Sequence, residues 1–138
     1  MHYLGWALIA LVGYSIFTPL ASLAMDNAPS SVVAMVANGV LLVSAVGLTV
    51  YENESLTSYF GGRTALYMLG AGVFLAVGIL AYYRALAAGP VSIVTPVYAM
   101  FLVGSTALSV LFLDDSLTLK KSAGIVLAVV AVYLTATG

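Results

Sequence analysis

TALYMLGAGVFLAVGILAYY, residues 64–83, runs between Arg63 and Arg84 without one charged side chain. Twenty residues of α-helix rise about 30 Å, the thickness of a bilayer's hydrocarbon core. Inside lipid every backbone N–H and C=O must find its partner within the protein, so such a run is either a helix or one strand of a closed barrel. A barrel strand needs polar residues at alternate positions, and runs such as residues 123–134 lack them. The stretch therefore predicts a membrane-spanning helix.

The same reading extends in both directions. The remaining charges, Asp26, Glu52, Glu54, Asp114, Asp115, Lys120 and Lys121, cut the chain into further uncharged runs. Helices are predicted at about residues 3–25, 31–51, 64–83, 91–113 and 120–137, the last borrowing lysines whose stems lie along lipid while their ammonium groups reach water. The fold class is an all-α membrane protein, a compact bundle of five transmembrane helices forming one domain over residues 1–138. Composition agrees: 63% hydrophobic and 7% charged, against roughly 25% charged in soluble domains. Thirteen glycines suit close helix packing in lipid, and nine tyrosines suit the interface.

The connections carry stop and start chemistry. Asn27-Ala28-Pro29-Ser30-Ser31 joins turn formers to an N-cap candidate. Ala88-Gly89-Pro90 puts Gly past one helix end and Pro in the first turn of the next, and Thr118 is an N-cap candidate for the fifth helix. A signal peptide cut near Ser22-Leu23-Ala24 is the rival reading of the first run, but that run lacks a basic start and exceeds the ~7–15 apolar residues of a signal. Five spans place the termini on opposite sides. Arg63, Lys120 and Lys121 share the side of the N-terminus and Arg84 stands on the other, so the positive-inside rule predicts a cytoplasmic N-terminus and an external C-terminus. Helical spans point to a plasma or inner membrane.

In the second half, Ala81-Tyr82-Tyr83-Arg84-Ala85-Leu86, Ala88-Gly89-Pro90-Val91-Ser92-Ile93-Val94-Thr95-Pro96, Leu111-Phe112-Leu113-Asp114-Asp115-Ser116-Leu117-Thr118 and Gly124 follow in order. This order resembles the EamA-like domain of the drug/metabolite transporter superfamily. In the family a Tyr and Ala-Leu helix ending precedes a short turn, a helix with an internal Pro, a Leu-Gly-Glu-like turn and a helix with an early Gly. Here Asp114 stands where the family has Gly, which leaves the geometry of that turn open, and Asp115 keeps the acidic group. Most members resemble two fused five-helix repeats in inverted orientation. The resemblance covers one repeat, and so implies that a second comes from another chain, as a homodimer or with a different single-repeat partner.

Polar groups within the spans are the functional candidates, because each needs a partner or a wet cavity. Tyr14, Thr18 and Ser22 share a face of the first helix at i, i+4, i+8; Thr95, Tyr98, Ser105 and Ser109 form a stripe on the fourth; Asn38 is the amide inside the second. Tyr14, Thr18, Asn38, Thr95, Tyr98 and Ser105 are predicted to line a pathway for a neutral or zwitterionic solute. For any single Ser or Thr the competing role is a bond to its own backbone or close helix packing. Pro19 and Pro96 are hinge candidates. Arg84 is a candidate for the pathway mouth, competing with a simple reach to lipid headgroups.

No Asp, Glu, Lys, Arg or His falls near the centre of a span, which argues against coupling through a buried carboxylate. His2 is terminal, there is no cysteine, and no cofactor fingerprint or paired nucleophile and base is present. The sequence thus predicts neither an enzyme nor a cofactor, metal or nucleic-acid partner. Its predicted partners are the bilayer, a small-molecule substrate and a second repeat, most simply arranged antiparallel and working by alternating access. A non-transporting membrane subunit or scaffold is the alternative.

Overall fold

The computed structural model describes residues 2–138. All regular elements among them are helices. They are α1 (Tyr3–Met25), α2 (Ser30–Tyr51), α3 (Gly62–Ala88), α4 (Val91–Ala99), α5 (Phe101–Phe112) and α6 (Leu119–Thr137), with a 3₁₀ turn at Leu56–Tyr59. Because α4 and α5 together make one apolar span, Val91–Phe112, five segments are long and apolar enough to cross a membrane. The chain divides into two packed units, one ending at Ala88 and the other comprising Gly89–Gly138.

In the first unit α1, α2 and α3 pack pairwise. The turn between α1 and α2 ends at Pro29, whose fixed φ of −58° suits a helix entrance and whose carbonyl accepts from Val32 N (2.9 Å) and Val33 N (3.1 Å). α2 closes in a Schellman turn: Asn53 takes φ 55°, its N–H reaches Val50 O at 3.1 Å, and Glu54 N reaches Thr49 O at 3.1 Å. The segment that follows is held by Tyr59 Oη donating to a Glu54 carboxylate oxygen (3.2 Å) and Ser58 Oγ donating to Ser55 Oγ (2.7 Å). α3 is longer than its uncharged core. The sequence reading stops it at the charge of Arg84, but Ala85, Leu86, Ala87 and Ala88 are strong helix formers, and buried Leu86 docks the last turn. Its 27 residues rise about 40 Å, and the uncharged stretch between Arg63 and Arg84 matches the ~30 Å of a hydrocarbon core.

In the second unit α6 packs against α4 and α5. Pro90 is the N-cap of α4 rather than a first-turn residue: its carbonyl accepts from Ile93 N and Val94 N, each at 3.0 Å. The expected single fourth helix is interrupted at Met100. Pro96 has no N–H for the Ser92 carbonyl, and one turn later Met100 N bonds three residues back, to Val97 O at 3.2 Å. The Met100 carbonyl then starts α5 by accepting from Val103 N and Gly104 N. After α5, Asp114 takes φ 53°, the left-handed conformation that a glycine enters freely and an aspartate tolerates better than most residues. Asp114 thus takes up a backbone conformation that suits the family's glycine, and keeps a tight turn. Thr118 caps α6, its Oγ1 accepting from Lys121 N at 3.3 Å.

Candidate functional site

The placement of charge is the first feature of the site. All five carboxylates, Asp26, Glu52, Glu54, Asp114 and Asp115, lie in connections, outside every helix. The basic residues stand near helix ends: Arg63 in the first turn of α3, Arg84 in its last two turns, and Lys120 and Lys121 at the start of α6. The middles of α3 and α6 are apolar, while α1, α4 and α5 carry neutral hydroxyls and phenols within their spans and α2 carries one amide.

In the first unit, the predicted pathway residues of α1 divide between packing and exposure. Thr18 is buried; its Oγ1 donates to Tyr14 O (3.0 Å) and lies 3.2 Å from Tyr82 Oη on α3, which is left as the donor of that pair because a hydroxyl has one proton. Phe17, the neighbour of Thr18, meets Tyr83 edge to face at 5.8 Å, and Tyr14 meets Phe17 in the same manner at 6.0 Å. Such edge contacts set the electropositive rim of one ring against the electron-rich face of another. Tyr14 itself is exposed, and Pro19 lies within α1 without interrupting it. Asn38 is half-buried, and its amide donates to Ala34 O one turn back at 2.8 Å. Arg84 is exposed and borders a cleft of about 20 Å³ at the first turn of α2, beside Ser30 and Ser31.

Tyr82 and Tyr83 carry more of this unit than sequence reasoning assigned them. Together with Ile79 and Leu86 they follow i, i+3, i+4, i+7 spacing, the signature of a packed helix face. That signal stands in the sequence but is masked because α3 is apolar on every side.

In the second unit, Thr95 and Tyr98 are half-buried on α4, and the Tyr98 ring lies 5.1 Å from that of Phe101. Ser105 is exposed and donates to Leu102 O (3.1 Å). It lines a groove of about 660 Å³ between α5 and α6, within the ~300–1,000 Å³ of small-molecule sites. Thr106 and Ser109 extend the polar stripe along α5, while Gly124 and Ala128 keep the α6 wall low. At one end of the groove Ser109 Oγ donates to the Asp115 carboxylate, and Lys121 Nζ donates to Ser116 O at 2.9 Å. The polar positions Thr106, Asp115 and Lys121 are additions to the predicted set. Asp115 and Lys121 lie in and just after a connection, away from the mid-span polar groups that stand out in the sequence.

A family model described as the EamA-like transporter family matches residues 1–137. The chain is 29% identical over 127 residues to an uncharacterized protein of Methanocaldococcus jannaschii, a match that takes in 92% of this chain and 90% of that one. No solved structure matches it.

Proposed function

The chain belongs to the EamA-like transporter family, and on that premise we propose that this multi-pass membrane protein moves a neutral or zwitterionic small molecule by alternating access, as a pair of five-helix repeats. The observation that carries the choice of solute is the exclusion of all five carboxylates from the helices. A charge in mid-membrane is costly unless paired, and a transporter that couples to protons through a buried acid keeps one there. Here the spans present hydroxyls and one amide instead, groups that can exchange hydrogen bonds with a solute carrying no net charge.

The pathway in this reading draws on Tyr14, Asn38, Thr95 and Tyr98, while Thr18 holds α1 to α3 and Ser105 lines the separate groove between α5 and α6. Arg84 at the helix end meets headgroups or a solute's anionic group. Pro96 and Met100 supply a point of flexure, since the hydrogen-bond pattern between α4 and α5 already departs from that of a continuous helix. The second repeat is another copy of this chain in the opposite orientation. A bias of three basic residues to one is small enough for both orientations to insert.

Single cysteines at Asn27 and Asn53 test this, because the natural chain has none. Membrane-impermeant thiol reagents are applied to intact and to opened cells. Partial labelling of both sites from both sides supports the antiparallel pair. Strictly one-sided labelling overturns it.

A further inference from the structure

The groove between α5 and α6 holds apolar and charged features in an order that matches one kind of molecule. From its charged end, Lys121 to Ala128 on α6 and Ser109 to Leu102 on α5 each cover eight residues, about 10 Å of rise toward the middle of the span. Along that length the walls include Leu102, Val103, Ile125 and Ala128. At the end stand an acceptor and a donor of opposite charge. Asp115 lies in the connection before α6 and takes one hydrogen bond from Ser109, while a carboxylate has room for several. Lys121 lies in the first turn of α6 and gives one bond to Ser116 O, while an ammonium has three to give. The positive end of the α6 backbone dipole adds to Lys121.

We propose that this groove binds an aminophospholipid of the surrounding bilayer, its primary ammonium at Asp115, its phosphate at Lys121 and one acyl chain along α5 and α6. This site goes beyond transport and stands on binding alone. The depth relation supports a lipid: Asp115 and Lys121 lie at the helix ends, where headgroups are, and the apolar walls run inward from them. Charge complementarity selects the head. An acidic headgroup without an amine satisfies Lys121 but leaves Asp115 facing a like charge. The tail adds little selectivity, because lipid chains are as apolar as the leucines they would displace. The head therefore decides.

Gly124 offers a way to close the groove. A Cβ placed there meets no atom within 4 Å beyond its own helical backbone and chain neighbours, so a larger side chain is accommodated and projects from the α6 wall.

The full chain is reconstituted in vesicles of phosphatidylglycerol containing a trace of phosphatidylethanolamine or phosphatidylglycerol with a photoreactive group in one acyl chain. After illumination the adducts are mapped by mass spectrometry. The expected result is labelling in residues 102–128 that is roughly fivefold or more stronger with the ethanolamine probe. Asp115→Asn and Lys121→Gln each bring it down toward the phosphatidylglycerol level, and Gly124→Leu removes it for both probes while labelling of α1 and α2 persists as the folding control. Equal labelling by the two probes reveals ordinary bulk lipid and overturns the proposal. Absence of labelling in the groove, with α1 and α2 labelled normally, overturns it as well, since the groove is then closed by protein.

Discussion

The two units of the molecule treat their inner faces differently. In the first, α1 and α3 are joined through Thr18 with Tyr82 and Phe17 with Tyr83, around buried Ala21, Ala34 and Leu86. In the second, no described residue reaches the same burial, and α5 and α6 leave a groove edged by Ser105, Ser109 and Lys121. Both are built from helices of similar hydropathy, so apolar content is not the difference. In lipid, apolar surface gains little by leaving its solvent, and helices hold together through shape and hydrogen bonds. The first unit supplies both, with aromatic rings set against Phe17 and a hydroxyl pair. The second keeps small residues and hydroxyls along a groove and packs less closely.

The sharpest test of this contrast is to truncate one residue in each unit. Tyr83, 2% exposed, becomes a cavity as Tyr83→Ala and is expected to cost about 3 kcal/mol, whereas Ile125→Ala in the groove should cost about 1 kcal/mol or less. Equal losses in detergent unfolding titrations would remove the distinction. Next in size, Thr18→Val and Tyr82→Phe should each destabilise the chain by about 1 kcal/mol, with a coupling of about 0.6 kcal/mol in the double-mutant cycle. A coupling of zero means that the two hydroxyls are neighbours without being partners.

Within the second unit, Thr118→Ala removes the cap of α6 and should cost about 0.5–1 kcal/mol, read as loss of helicity or a lower midpoint. The smallest effect expected is a gain: Asp114→Gly relieves a positive φ and should stabilise by about 0.5 kcal/mol in the same titration. A loss there would mean that the Asp114 side chain, rather than its backbone conformation, holds the turn between α5 and α6.

Much of this architecture is legible in the chain itself. The charges mark the connections because a charged group in hydrocarbon is expensive, and the spans lie between them. The cap at Thr118 follows from its side chain and its place before a helical run. The boundary of α3 was less readable. Arg84 looks like a stop, yet its long stem lets the helix run on for another turn while the guanidinium reaches the interface. The interruption at Met100 was also hidden, since Pro96 announces a disturbed helix but the hydrogen-bond ladder fails one turn further on. Among the candidate residues, the mid-span hydroxyls stand out in the sequence by their positions. Asp115 and Lys121 gained a place in the groove only because α5 and α6 lie side by side.

The sequence by itself determined that the protein has five membrane-spanning segments, roughly where each span lies between its charged connections, and to which family it belongs. Those properties depend on hydropathy, charge and turn chemistry, which act locally along the chain. Which face of each helix packs and which stays open was decided by the tertiary structure alone. A helix that is apolar all round carries no stripe to say which way it faces. Thr18 and Tyr82, 64 residues apart, become a pair only through the shapes of α1 and α3.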